Sequence, residues 1–417
     1  MFYKLLNKIY KHFNFRAVAG AENERMPLDE QKKYFSTFGE PKDDYERSFF
    51  KFKCFREYCY YHRKWIMIFY NIGAMLILPF MRLKLRNAAK KIKKADTQYD
   101  AVFENVPRLP NTDVIPAELK EKYPNSVDVT EIHYGSGCLD DTADDICAQL
   151  RKRYFWKFYF RLIVMLKLGL FNSYLLKYSP KAIAFYSVER EFSGPLQTLL
   201  CEKEGAQYIA FMHGDYLYAL CFAFQRYSMY YTWDESYNRM FESLGCSFPM
   251  KVYVPDKLKG IAENIDEHEC KYFATYYFSD ETRACAEKIN EVFESFRQAG
   301  LRCKIRPHPR FSNIEMLSEV LANTEMENIR EYSLADSITD SLFTVGLNTT
   351  VLSQAYFSGK QVVIDDISMI EQYNELEAKG YIMMRRPHIK LTELVKAAQN
   401  GEYDESYRFF MRETAKA

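Results

Sequence analysis

Two histidines stand where strands run out, each beside a residue that shapes the backbone. His213 follows the run QYIAFM and precedes Gly214 and Asp215; His308 follows RCKIR and sits between Pro307 and Pro309. An imidazole titrates near working pH, so at a strand end it can take a proton from a hydroxyl or steady a leaving phosphate. Asp215 either orients His213 or serves as the base itself. Pro307 and Pro309 lack an N–H and stop the strand there. Arg306 and Arg310 add positive charge on either side. Further on, DSLFTVGLNTTVLSQAYFSGKQVVIDD parses as strand, tight turn, helix, strand. Gly346 relaxes the turn, Asn348, Thr349 and Thr350 open the helix, and Gly359 closes it. A helix N-terminus with hydroxyls offers an anion its unpaired N–H groups. His308 and the 348–350 turn are expected to converge on one phosphorylated ligand, with Glu331 accepting from a ribose hydroxyl.

Other chemistries lose their usual signatures. The GSG at Gly135–Gly137 fails as a dinucleotide fingerprint, because Asp140 occupies the third glycine position and more carboxylates follow. It reads as a turn before a capped helix. There is no GxxxxGK[ST], HExxH or GxSxG. The nearest approach to a metal-binding DxD pair, Asp365-Asp366, reads as a strand-to-loop turn. The reaction is therefore expected to need no metal and no cofactor beyond an activated donor.

These residues need strands to carry them, and the chain supplies two series. With 417 residues, 48% hydrophobic and 27% charged, it is globular and too long for one ordinary core. From 98 to 245, YDAVFENV, VDVTEIHY, KAIAFYS, QYIAFM and MYYTW alternate with stretches long enough for crossover helices. From 246 to 417 the alternation restarts with KYFATYYFS. The reading is α/β: two Rossmann-like lobes facing a cleft, an acceptor lobe at 98–245 and a nucleotide-donor lobe at 246–417. The aromatic-rich helix at 154–176 is best explained as core.

Residues 1–97 form a basic and apolar extension. Residues 2–16 have the spacing of a basic amphipathic helix. WIMIFYNIGAMLILPFM, 65–81, is seventeen residues without a charge, at the lower edge of what spans a bilayer. About a dozen Lys and Arg lie between Lys51 and Lys94 against the single acid Glu57. That cluster suits an anionic membrane surface, so peripheral attachment is expected ahead of a buried core helix or a true span. Net charge of +1 argues against a nucleic-acid partner. Ten cysteines without CxxC spacing read as free thiols of a reducing compartment, and the N-terminus has no signal-peptide core. A cytoplasmic protein on the inner face of the plasma membrane is expected.

HG after a strand, then RPHP, then GLNTTVLSQAYFSGKQVVI resemble the bacterial surface-polysaccharide transferases of GT-B fold. That group includes the CDP-glycerol glycerophosphotransferases and the sialyl-, polysialyl- and Kdo-transferases. The resemblance runs from about 180 to 366. It implies that His308, Thr349 and Thr350 bind the donor phosphate and that His213 is the base. This chain has Met212 where the glycerophosphotransferases have Trp. The sialyltransferases use an acid in an acid-acid-Gly motif; the nearest acids here are Asp215, Glu189 and Glu191. The implied function is inverting, metal-independent transfer of a sugar from a nucleotide donor to a growing capsule or lipopolysaccharide glycan, or to a lipid-linked acceptor. The alternatives are phosphodiester formation of the glycerophosphotransferase type and a non-catalytic scaffold in an assembly complex.

Overall fold

The computed structural model describes residues 26–58, 64–93, 95, 97, 99–104, 115–129, 137–186, 188–255, 258, 270–279, 281–309 and 311–401. The amphipathic helix expected at 2–16, Gly135 of the GSG turn and Arg310 lie outside them. The chain forms two compact units. One holds residues up to His213 with Tyr218–Tyr253, and the other Gly214–Leu217 with everything from Val254 onward. The units meet in sequence at 253/254, eight residues beyond the expected 245/246, and Asp215 goes with the second.

The first unit opens with α1 (Leu28–Phe35) and α2 (Asp44–Phe52), a π-type turn at Lys53–Glu57, and α3 (Lys64–Ala89). Asp43 caps α2 by accepting from the N–H groups of Tyr45 and Glu46. These helices lie within the unit. Ser48 donates to the Phe192 carbonyl at 2.7 Å, and the Gln31 amide both donates to Met26 and accepts from the Leu220 N–H. The helix expected from 65 continues through the basic segment to Ala89, because Met81 and Leu85 keep the buried spacing.

The sheet follows: β1 (Ala101–Glu104), α4 (Ala117–Lys122), β2 (Ser126–Val129), α5 (Asp141–Arg153), α6 (Phe158–Tyr178), β3 (Ala182–Tyr186), α7 (Gly194–Lys203), β4 (Gln207–Phe211), β5 (Met229–Thr232), α8 (Glu235–Ser243) and β6 (Met250–Val252). Its six strands are all parallel, in the order β2-β1-β3-β4-β5-β6. β1 and β3 are buried at every residue, as central parallel strands require. α6 is a core helix, as expected. Gly137 crosses it closely: a Cβ there would lie 2.4 Å from the Gly169 carbonyl carbon. Asp140 then caps α5 by accepting from the Ala143 N–H, so Gly137 packs closely just ahead of a capped helix.

The second unit repeats the plan: β7 (Tyr272–Tyr277), α9 (Arg283–Gln298), β8 (Cys303–Arg306), α10 (Ile314–Val320), β9 (Glu325–Met326), α11 (Leu334–Thr339), β10 (Ser341–Gly346), α12 (Thr350–Phe357), β11 (Gln361–Ile364), α13 (Ile370–Ala378), α14 (Ile382–Arg385), β12 (Ile389–Lys390) and α15 (Leu391–Asn400). These strands too are all parallel, ordered β12-β11-β10-β7-β8-β9. The core of this unit gathers Phe273, Ile289, Phe293, Phe296, Ile305 and Phe343. Asp365 folds back as a turn, accepting from the N–H groups of Ile367 and Ser368 and from the Tyr276 hydroxyl. The nine described cysteines are all free.

Candidate active site

In an open parallel sheet, ligands sit beyond the carboxyl ends of the strands, where the strand order reverses. In the first unit that point lies between β1 and β3. Tyr186 of β3 pairs with Phe211 of β4, so the chain leaves both strands on one edge of the sheet. Glu189 comes three residues after β3 and His213 two after β4. Glu189 Oε2 lies 3.5 Å from His213 Nδ1, and the Tyr230 hydroxyl donates to Oε1 at 2.9 Å. The carboxylate is 1% exposed, the imidazole 30%. Burial alone would push the Glu189 carboxyl up, but the adjoining His213, by charge and hydrogen bond, and Tyr230 together hold it below the usual range. An ionised carboxylate thus stands behind a ring that reaches solvent. Turning Nδ1 toward Glu189 leaves Nε2 to receive a proton.

The backbone behind this pair is fixed from a distance. Lys51 of α2 is fully buried, and its ammonium donates to the carbonyls of Glu189, Cys221 and Ala223 at 2.7, 3.0 and 3.3 Å. Gln225 donates to the same Glu189 carbonyl at 2.7 Å. Burial lowers the Lys51 pKa to about 8. Glu104, ending β1, accepts from the Tyr186 N–H at 3.2 Å, and burial pushes its carboxyl up to about 8. Lys167 of α6 pairs with Glu191. Glu104 and Glu189, which follow neighbouring strands, are therefore shifted in opposite directions.

In the second unit the order reverses between β7 and β10. The turn after Gly346 brings Asn348, exposed, then Thr349, which caps α12 by accepting from the Val351 N–H, then Thr350. Gly346 does not adopt a positive φ. What the position demands is room, since a Cβ would meet the Thr349 methyl at 3.2 Å and the Tyr277 carbonyl at 3.4 Å. Gly359, past the end of α12, does take the left-handed conformation at φ +73°. His308 follows β8 by two residues, stacks on Phe311 with centroids 4.6 Å apart, and its N–H donates to Ser312 Oγ at 2.8 Å. β8 and β10 flank β7, so their ends are about 10 Å apart at ordinary strand spacing.

The remaining expected residues fall out differently. Arg306 is held by Glu327 at 2.6 Å and by the carbonyls of Tyr332 and Ser333, and Glu327 also pairs with buried Lys304. Its guanidinium thus braces β8 against the loops that follow. Glu331 is exposed on a turn. Asp215 accepts from Ser353 Oγ of α12 at 2.7 Å, while the carboxylate that pairs with His213 is Glu189. Sequence reasoning noted Glu189 only as a nearby acid. A buried-strand run followed three residues later by an acid was the available signal.

Two six-stranded parallel sheets built from strand–helix–strand crossovers in one chain constitute the two-lobed α/β architecture of the GT-B class. No protein-family model matches the chain, and no curated protein matches it. Among solved structures it is similar to the wall teichoic acid polymerase TagF, at 11% identity and TM-score 0.47, over 84% of this chain and 91% of that one. It is also similar to the Methanocaldococcus jannaschii UDP-GlcNAc 2-epimerase in complex with UDP-GlcNAc and UDP, at 11% identity and TM-score 0.38, over 74% and 93%. A third is CalG4, the calicheamicin glycosyltransferase, at 9% identity and TM-score 0.40, over 76% and 94%.

Proposed function

We propose that this chain is a transferase that moves a sugar from a nucleotide-activated donor to a growing surface polysaccharide at the cytoplasmic face of a membrane. The observation that carries the reading is the Glu189–His213 pair beyond the carboxyl ends of β3 and β4, beside the reversal point of the first sheet. His213 removes the proton from the acceptor hydroxyl as that oxygen attacks the anomeric carbon and the bond to the donor phosphate breaks. Glu189 orients the ring and stabilises its charge as the proton arrives. The leaving nucleotide phosphate is received by the Asn348–Thr350 turn and the α12 N-terminus, with His308 donating to it. On this reading no metal takes part, so a chelator leaves the rate unchanged. A second reading, phosphodiester formation, rests on His213-Gly214, the pair by which the sequence resembles the glycerophosphotransferases; the linkage of the product separates the two.

The test is a thermal-shift screen of the protein against CMP, CDP, UDP and GDP, with His308→Ala beside the wild type. A nucleotide at 100 times its dissociation constant adds about 2.7 kcal/mol. One nucleotide should stabilise the wild type and not the variant. No shift with any of them overturns the transferase reading and favours the scaffold.

A further inference from the structure

Helix α3 has two apolar faces. One is buried within the unit: Tyr70 stacks on Tyr159 of α6 with centroids 5.0 Å apart, and Ala74, Met81 and Leu85 are buried beside it. The other carries Trp65, Phe69, Ile72, Leu76, Phe80 and Leu83, a stripe at helical spacing that is 49–75% exposed. Among the described residues nothing covers it. The stripe is extended sideways by Trp156, 74% exposed, on the turn between α5 and α6. Asn71, within the otherwise apolar run, ties that turn to α3: it donates to the Trp156 carbonyl at 3.1 Å and accepts from the Tyr159 N–H at 2.9 Å.

Beside the stripe, α3, α5 and α6 enclose a groove of about 280 Å³. Met75, Leu78 and Pro79 form one apolar wall, and Arg82, Arg151 and Arg161 also line it. Arg82 is paired with Asp144 in a two-pronged contact at 2.7 and 2.8 Å. Arg161 donates to the Phe155 carbonyl at 2.6 Å. Burial lowers the Arg161 pKa, and the charges of Arg151 and Arg82 lower it further, a repulsion that an anion in the groove relieves. Lys84, Lys90, Lys91 and Lys93 are exposed at the end of α3 and just past it. Large apolar side chains with a cationic rim complement a leaflet of anionic lipid, in which aromatics and aliphatics enter the acyl boundary and the cations face phosphate.

We infer that this face seats the first unit in the plane of an anionic phospholipid bilayer, with the phosphate of one lipid held in the groove by Arg151 and Arg161. The helix lies along the interface and does not cross it, because its opposite face is committed to α6. This deepens the membrane placement in the proposed function, and its test does not depend on catalysis.

The full chain is floated with vesicles of phosphatidylcholine alone and of phosphatidylcholine mixed with phosphatidylglycerol. Wild type should rise with the anionic vesicles. Leu76→Glu/Phe80→Glu, at positions 61% and 75% exposed where folding is not at stake, should weaken binding at least about tenfold by removing buried apolar area. Arg151→Glu should weaken binding to the anionic vesicles about fivefold or more, at about 1 kcal/mol per charge. His213→Ala should float as wild type does although it fails to turn over, so a failed transferase reading leaves this result standing. Vesicles that bind neither protein, or that bind the glutamate variants equally well, overturn the inference. So does a wild-type dimer in sedimentation velocity that the same glutamates dissolve, which would assign the face to a second copy of the chain.

Discussion

Replacing Lys51 by methionine tests whether a buried cation fixes the backbone behind the candidate base. In the fold the ammonium is fully enclosed and meets three carbonyls, with burial lowering its pKa from 10.5 to about 8. The unfolded chain therefore binds this proton more tightly than the folded one. Stability contributed by the residue is least below pH 8, where both states are protonated, and rises with pH until the unfolded lysine has also lost its proton near 10.5. At about 1.4 kcal/mol for each tenfold change in proton affinity, the rise is about 3 kcal/mol. Methionine has no such dependence, and it takes the ammonium donor from the Cys221 and Ala223 carbonyls, each loss costing about 1–3 kcal/mol, while the Glu189 carbonyl keeps Gln225. The variant should be less stable than wild type at pH 7, and the gap should widen by about 3 kcal/mol between pH 8 and 10.5. Urea denaturation of both proteins across that window measures it. Other buried groups that titrate there are common to both proteins and cancel in the difference, apart from the thiols of Cys54 and Cys246, which the Lys51 charge itself lowers. A gap that stays flat or narrows with rising pH would refute the reasoning.

Three further outcomes follow from the same geometry. Glu189→Gln should lower the transfer rate by about 10²–10⁴-fold, as expected when an oriented base loses its carboxylate, while nucleotide-induced stabilisation stays intact; a rate within threefold of wild type would count against the pair. Glu104, whose carboxyl is raised from 4.5 to about 8, favours the fold fully at low pH and loses that contribution as pH rises through 8. Glu104→Gln should therefore match wild type near pH 4, gain on it progressively from pH 4.5, and exceed it by up to about 5 kcal/mol above pH 8 in urea titrations, whereas parallel curves would show the carboxyl to be ordinary. Gly137→Ala drives a Cβ to 2.4–2.7 Å from the backbone of residues 169 and 170 and should cost about 2–3 kcal/mol of stability, seen as a lower denaturation midpoint.

The strands were legible because central parallel strands are apolar on both faces. QVVI spans β11 residue for residue, and the stop after RCKIR follows from the missing N–H of Pro307. The turn at Asn348–Thr350 was legible from its capping hydroxyls, and Thr349 does cap α12. What the sequence hid depends on which strands and helices become neighbours. Glu189 meets His213 only because β3 lies beside β4, and Lys51 reaches the same loop from a helix 138 residues away. Arg306 looked available for a ligand because Glu327, its partner, sits on a different stretch of chain just past β9. α3 escaped simple classification because length and hydropathy do not reveal that one apolar side is packed and the other bare.

The thiols have a practical consequence. Burial pushes those of Cys138, Cys147 and Cys303 up to about 12 and those of Cys246 and Cys285 up to about 11, so very little thiolate forms near neutral pH. With Cys59, which lies outside the described residues, and part-exposed Cys270 both changed to serine, a cysteine introduced at exposed Trp156 would outcompete the native thiols for a maleimide dye. The native fold thus supplies a nearly silent background for single-site fluorescence, and a label at that turn could report depth and tilt from one attachment point.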